Sequence, residues 1–106
     1  MLENKSCPNA SAESLAYIHK GRPAKLSDGI LWCKIKNGYR IFNLPKRKIF
    51  QLEDMGAQLW ELFIQKLDHT SVVERICEEY DVENHVASED VEAFVEKLYA
   101  HGIFAG

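Results

Sequence analysis

Ile30-Leu31-Trp32-Cys33-Lys34-Ile35-Lys36-Asn37-Gly38-Tyr39-Arg40-Ile41-Phe42-Asn43 decides the fold. Two runs rich in β-branched and aromatic side chains flank Lys36-Asn37-Gly38, and Asn-Gly between apolar runs is a strong short-range hairpin signal. The next turn is Leu44-Pro45-Lys46-Arg47, whose proline has no N–H for a ladder and therefore belongs at a bend. Lys48-Ile49-Phe50-Gln51-Leu52 follows as a third strand, completing a three-stranded antiparallel meander. Alternation is expected to send Phe42, Phe50 and Leu52 to one face and Ile41, Ile49 and Gln51 to the other, leaving both faces partly apolar. No strand follows the third, so its outer N–H and C=O groups form an open edge.

Downstream of the meander the apolar period changes from two to 3.6. Met55, Leu59, Leu62 and Phe63, with Leu67 beyond, make one helical stripe, and Trp60 sits beside it as packing. Ser71-Val72-Val73-Glu74 reads as a capping box opening a second helix, with Val73, Ile76, Cys77 and Tyr80 on one face and an end near Asp81. A third helix is expected from Ser88, with Glu89 and Asp90 at the positive end of its dipole and a stripe of Val91, Phe94, Val95 and Leu98. Gly102 ends it as a left-handed cap, and Ile103 and Phe104 fold back on the core. Strands first and helices second, in blocks, predict an α+β domain with helices on one face of a small sheet. Upstream, residues 1–24 mix Asn, Ser, Gly and two prolines, and read as a loose arm with room for one short helical turn around Leu15 to Ile18; the domain proper is 25–106.

At 106 residues, 46% of them hydrophobic, the chain has the size and apolar content of one ordinary domain with a real core. The sequence has no secretory signal pattern and no apolar run of the roughly 18 residues needed to span a bilayer, so a soluble, cytoplasmic protein is expected. Cys7, Cys33 and Cys77 are odd in number and far apart, and read as three reduced thiols. His19, His69, His85 and His101 show no metal-ligand spacing, and no nucleophile elbow, phosphate loop or dinucleotide turn is present. No catalytic residue, metal or cofactor is therefore assigned.

Charge is divided along the chain. From Lys20 to Lys48 there are nine basic residues and one acid, Asp28; from Glu74 to Glu96 there are nine acids and one base, Arg75. A helix that enters the major groove must not carry the charges phosphate repels, so nucleic-acid binding is disfavoured. The basic strands read either as a solvated, lysine-guarded edge or as a positive docking patch, and the two are compatible.

The order of elements resembles the PqqD-like proteins, also called RiPP recognition elements. The similarity runs through Arg40-Ile41-Phe42-Asn43-Leu44, Lys48-Ile49-Phe50-Gln51-Leu52, Gly56-Ala57-Gln58-Leu59-Trp60-Glu61-Leu62 and Glu79-Tyr80-Asp81-Val82. It closes with Asp90-Val91-Glu92-Ala93-Phe94-Val95-Glu96-Lys97-Leu98 and Gly102-Ile103-Phe104, covering about three-quarters of the chain. One position departs: the family usually has Asn after the last strand to cap the first helix, and this chain has Glu53, so that helix start is reshaped or taken over by Asp54.

The resemblance implies a non-catalytic domain of winged-helix type that binds the leader segment of a ribosomally made precursor peptide and presents it to a modifying enzyme. That enzyme would be a separate protein, such as a radical SAM enzyme, protease or cyclase, with no nucleic-acid or membrane partner. In such proteins the leader adds as a strand to the third strand, beside the third helix, which agrees with the open edge read from the residues. The positions carried over are Lys48, Ile49, Phe50 and Gln51 on the strand and Asp90, Phe94, Lys97 and Leu98 on the helix. Phe50, Phe94 and Leu98 fit a core stripe as well as a groove wall, and Asp90 fits a helix-dipole role as well as peptide contact. Ile49 points away from the stripe, and Lys48 and Lys97 can pair with acidic leader residues. Two other readings stand beside this one: an edge-strand dimer, in which the open edge pairs with a second copy, and a winged-helix nucleic-acid binder using Lys46-Arg47-Lys48 as its wing.

Overall fold

A computed structural model describes residues 18–19, 22–65 and 67–105. The fold is α+β, a three-stranded antiparallel meander followed by three helices in winged-helix-like order. Short strands β1 (Ile18–His19), β2 (Arg22–Pro23) and β3 (Lys25–Leu26) lead into the meander of β4 (Ile30–Ile35), β5 (Gly38–Asn43) and β6 (Lys48–Leu52). Helices α1 (Asp54–Ile64), α2 (His69–Tyr80) and α3 (Asn84–Ala100) follow, and β7 (Phe104–Ala105) ends the described chain. β1 pairs with β2, and β3 with β7, both antiparallel. Most of the expected amino-terminal arm, including the proposed helical turn, lies outside the described residues.

β4 and β6 have the expected bounds and β5 takes in Gly38, which the sequence reading left in the turn, but the faces differ from expectation. Ile41 faces Phe50 and Tyr39 faces Leu52, while Phe42 faces Ile49 and Arg40 faces Gln51. A four-residue connection makes cross-strand partners differ in odd-even parity, so Phe42 joins Ile49 and Gln51, and Ile41 joins Phe50 and Leu52. The inner face meets the helices: Ile41, Leu59, Trp60, Phe63, Val72, Ile76, Val91 and Val95 are all buried in one cluster. Trp60 is fully buried, as a packing residue should be, with Trp32 edge-on at 6.0 Å and Phe104 stacked at 6.3 Å between ring centroids. At the hairpin end Tyr39 is buried against Trp32 and donates its hydroxyl to Glu61. Burial and that carboxylate together hold the phenol well above its ordinary pKa.

Gly38 lets the end of β6 lie against the start of β5. Its φ is +153°, and a Cβ there would lie 1.9 Å from the Leu52 carbonyl oxygen, so β5 and β6 can be this close only without a side chain. Two helix starts also differ from expectation. α2 is capped by Asp68, whose carboxylate accepts the Ser71 N–H at 2.9 Å, so Ser71 lies inside the first turn instead of capping it. That bond holds the Asp68 carboxyl below its usual range. α3 begins at Asn84, one turn before Ser88, because buried Ala87 extends its core stripe towards the amino terminus. Asp81 ends α2 in the left-handed conformation.

Cys77 is free, but Cys33 is disulfide-bonded, which corrects the reading of three reduced thiols: separation along the chain does not set separation in space. Among the described residues no helix is long and apolar enough to cross a membrane.

Candidate functional site

β6 has one neighbour in its sheet, β5, and its other edge opens onto a cleft of about 400 Å³. β6 and the start of α1 supply one wall, with Phe50, Gln51, Leu52, Glu53 and Gly56; α3 and its end supply the other, with Phe94, Lys97, Leu98, His101 and Ile103. A second hollow of about 280 Å³ shares Gly56, Phe94 and Lys97 and continues along α3 to Asp90, with Met55, Leu59 and Ala93 around it. The two share three lining residues and therefore form one groove along α3.

α3 can line a groove and a core together because it carries two adjoining stripes. Ala87, Val91, Val95 and Leu98 are buried against the other elements. Asp90, Phe94, Lys97, Leu98 and His101, at i, i+4, i+7, i+8 and i+11, follow the groove. The helix ends in a Schellman motif, with Ile103 N–H donating to the Leu98 carbonyl at 2.8 Å and Gly102 N–H to that of Tyr99 at 3.0 Å. Gly102 takes the left-handed φ of +73° this requires. Asn43, the one buried polar side chain among the described residues, ties this end to the sheet. Its Nδ2 donates to the His101 carbonyl at 3.0 Å, and its Oδ1 accepts the Lys46 N–H at 3.2 Å. Both walls are thus fixed to the β5–β6 turn.

The far end of the groove depends on α1. Glu53 does not cap this helix: its backbone is extended and its side chain accepts Gln51 Nε2 at 2.7 Å instead. Asp54 begins the helix at a φ of +53°, so the start is reshaped, as the departure at Glu53 implies. One turn along, a Cβ at Gly56 would stand 3.5 Å from the Phe94 ring and 3.7 Å from Leu52, so the missing side chain is what leaves the groove open there.

Of the positions carried over from the resemblance, Phe50, Gln51, Phe94, Lys97 and Leu98 line the main cleft and Asp90 its continuation. Phe50 and Phe94 are half-buried and pack on the core, Phe94 against Phe63 at 6.0 Å, while Leu98 is buried beneath them. The choice between core and groove thus resolves into both. Lys48 and Ile49 line a separate hollow around the β5–β6 turn, with Ile49 on the outer face of the sheet. Sequence reasoning did not assign Leu52, Glu53, Gly56, His101 and Ile103 to the site. A glycine inside a helical pattern was a usable signal for Gly56. His101, whose ring centroid lies 4.9 Å from that of Phe50, was legible only once the groove stripe was extended past Leu98. Among the described residues no three His, Cys, Asp or Glu side chains cluster as metal ligands would.

No curated protein sequence matches the chain. Two solved structures share its fold. One, described as TbiB1 in complex with the TbiA(beta) leader peptide, superposes with a TM-score of 0.71 at 24% identity, over 77% of this chain and 95% of that one. The other, lasso peptide synthetase B1 complexed with the leader peptide, gives 0.72 at 22%, over 78% and 98%. Residues 38–103, which include β5, β6, all three helices and the groove between them, match the family of coenzyme PQQ synthesis protein D, and the chain belongs to the PqqD family.

Proposed function

We propose that this chain is a non-catalytic carrier that binds the leader segment of a ribosomally synthesised precursor peptide by strand addition to β6 and presents it to a separate modifying enzyme. The observation that carries this reading is the open edge of β6 facing a groove walled by α3. Main-chain groups of Lys48, Ile49, Phe50 and Gln51 supply the ladder, which is tolerant of sequence, and the pockets beside Phe50, Phe94 and Leu98 select apolar side chains. Lys97 offers a cation and Asp90 an anion along the same wall, giving the peptide a preferred charge pattern. The two similar structures, each a complex with a leader peptide, support the choice of ligand.

Amide NMR of labelled protein during titration with leader peptides from short open reading frames beside its gene tests this. Saturable shifts confined to β6 and residues 90–101 are expected. Shifts that avoid both segments would end the proposal. Line broadening of β6 on concentration alone, without peptide, would favour the edge-strand dimer.

A further inference from the structure

The period of two along β6 gives the strand a second surface. On the outer face of the sheet, away from the helices, the register aligns Leu31, Phe42 and Ile49 in one row. Ile49 is 64% exposed, and Leu44, in the turn after β5, is 55% exposed. Two of the four large hydrophobic side chains exposed among the described residues therefore sit together. They edge a hollow of about 250 Å³ whose lining includes Phe42, Leu44 and Ile49 with two cations, Arg47 and Lys48, and no acid. This hollow is distinct from the leader groove, with which it shares no lining residue.

We propose that this outer face is a docking surface for a protein partner with an apolar centre and an acidic rim, the modifying enzyme that acts on the held peptide. The naming of the partner as that enzyme rests on the carrier reading; the chemistry of the surface does not. An apolar floor flanked by uncompensated cations matches a surface that places an apolar side chain in the hollow and carboxylates opposite Arg47 and Lys48. Nucleic acid would satisfy the cations but leave Leu44 and Ile49 facing a phosphate backbone, gaining nothing from their burial. The chain's own acidic region offers a competing occupant, because the other two exposed hydrophobics, Tyr80 and Val86, lie among Glu79, Asp81 and Glu83. Such a contact between copies would be head-to-tail, giving a ring or an open chain of molecules where a two-fold dimer is the commonest assembly.

Position adds a second reason. A partner on this face lies against the strand whose edge holds the leader, so peptide and enzyme meet without competing for the same groups.

The test uses the full chain, a leader peptide and the purified modifying enzyme encoded beside the gene. Leader affinity is measured by anisotropy and enzyme affinity by calorimetry, for the wild type and for the variants Leu44→Glu and Arg47→Glu. Both residues are exposed and lie outside the leader groove, and a thermal melt of each variant checks the fold. Enzyme affinity should fall about tenfold or more in each variant while leader affinity stays within twofold. Leu44→Met should restore enzyme binding.

Enzyme affinity unchanged in both variants, or no enzyme binding by the wild type, would overturn the docking surface and leave the carrier reading intact. Salt-sensitive self-association or duplex binding that both variants abolish, with enzyme affinity unmoved, would overturn it in favour of a second copy or nucleic acid. Loss of enzyme binding in the variants of a protein that binds no leader would support the surface and remove the carrier reading.

Discussion

Asn43 is where the two walls of the groove meet, and its amide satisfies one backbone group on each side. Asn43→Ala would remove two part-buried hydrogen bonds, to the His101 carbonyl and from the Lys46 N–H, at a cost of about 2 kcal/mol. A lowered denaturant midpoint with an unchanged slope is the expected signature. An unchanged midpoint would mean that water replaces the amide without loss. Tyr39 sets a limit at the other end of the sheet. Its phenol is held above its ordinary value by burial first and by Glu61 second, so the neutral form is the one that folding favours. That contribution is complete below the unfolded pKa of about 10 and is lost as pH rises through the higher folded value. Stability measured from pH 9 upward should therefore fall, and Tyr39→Phe should flatten that limb; parallel curves would place the alkaline loss elsewhere.

The groove belongs to β6, α1 and α3 together, and α1 contributes mainly an absence. Gly56→Leu would put a side chain between Phe94 and Leu52, where even a Cβ stands at contact distance. Leader binding should be lost while the melting temperature holds or rises, since glycine inside a helix costs roughly 0.5–1 kcal/mol relative to alanine. Retained affinity would mean that the peptide does not extend past Leu52. Glu53→Asn should raise stability by about 1 kcal/mol by supplying the side-chain cap α1 lacks; no gain would show that Asp54 holds the start in a geometry a cap cannot reach.

The three meander strands were legible because Asn37-Gly38 and Pro45 punctuate runs of β-branched and aromatic residues, signals that lie within a few residues of one another. The faces were not, since pairing Asn43 with Lys48 depends on how the four-residue turn closes. The same distinction holds in the helices. The stripe through Val91 and Leu98 located α3, whereas its extra first turn depended on Ala87, too small to stand out by hydrophobicity and buried only by tertiary packing. The helix wall from Phe94 to Leu98 could be named from sequence, but its continuation to His101 and its floor at Gly56 arise from how the elements are placed.

At the scale of the molecule, charge is divided between elements: β4 to β6 and their turns carry bases and no acid, and α2 and α3 carry mostly acids. α2 and α3 are rich in acids, the sign that phosphate repels, so no retardation of duplex DNA is expected even at low salt, where electrostatic binding is strongest. A shifted band that weakens steeply as salt rises would count against this reading. The alternation along β6 also has a kinetic consequence. An edge and a face of one strand can be approached from different directions, so the proposed peptide and the proposed enzyme would assemble on it in either order. Neither ligand needs to leave before the other arrives. Any tightening that the peptide confers on the enzyme must then appear, in equal measure, as tightening by the enzyme on the peptide. On the proposed reading, the domain would be loaded while docked, and one docked enzyme would receive successive peptides without releasing it.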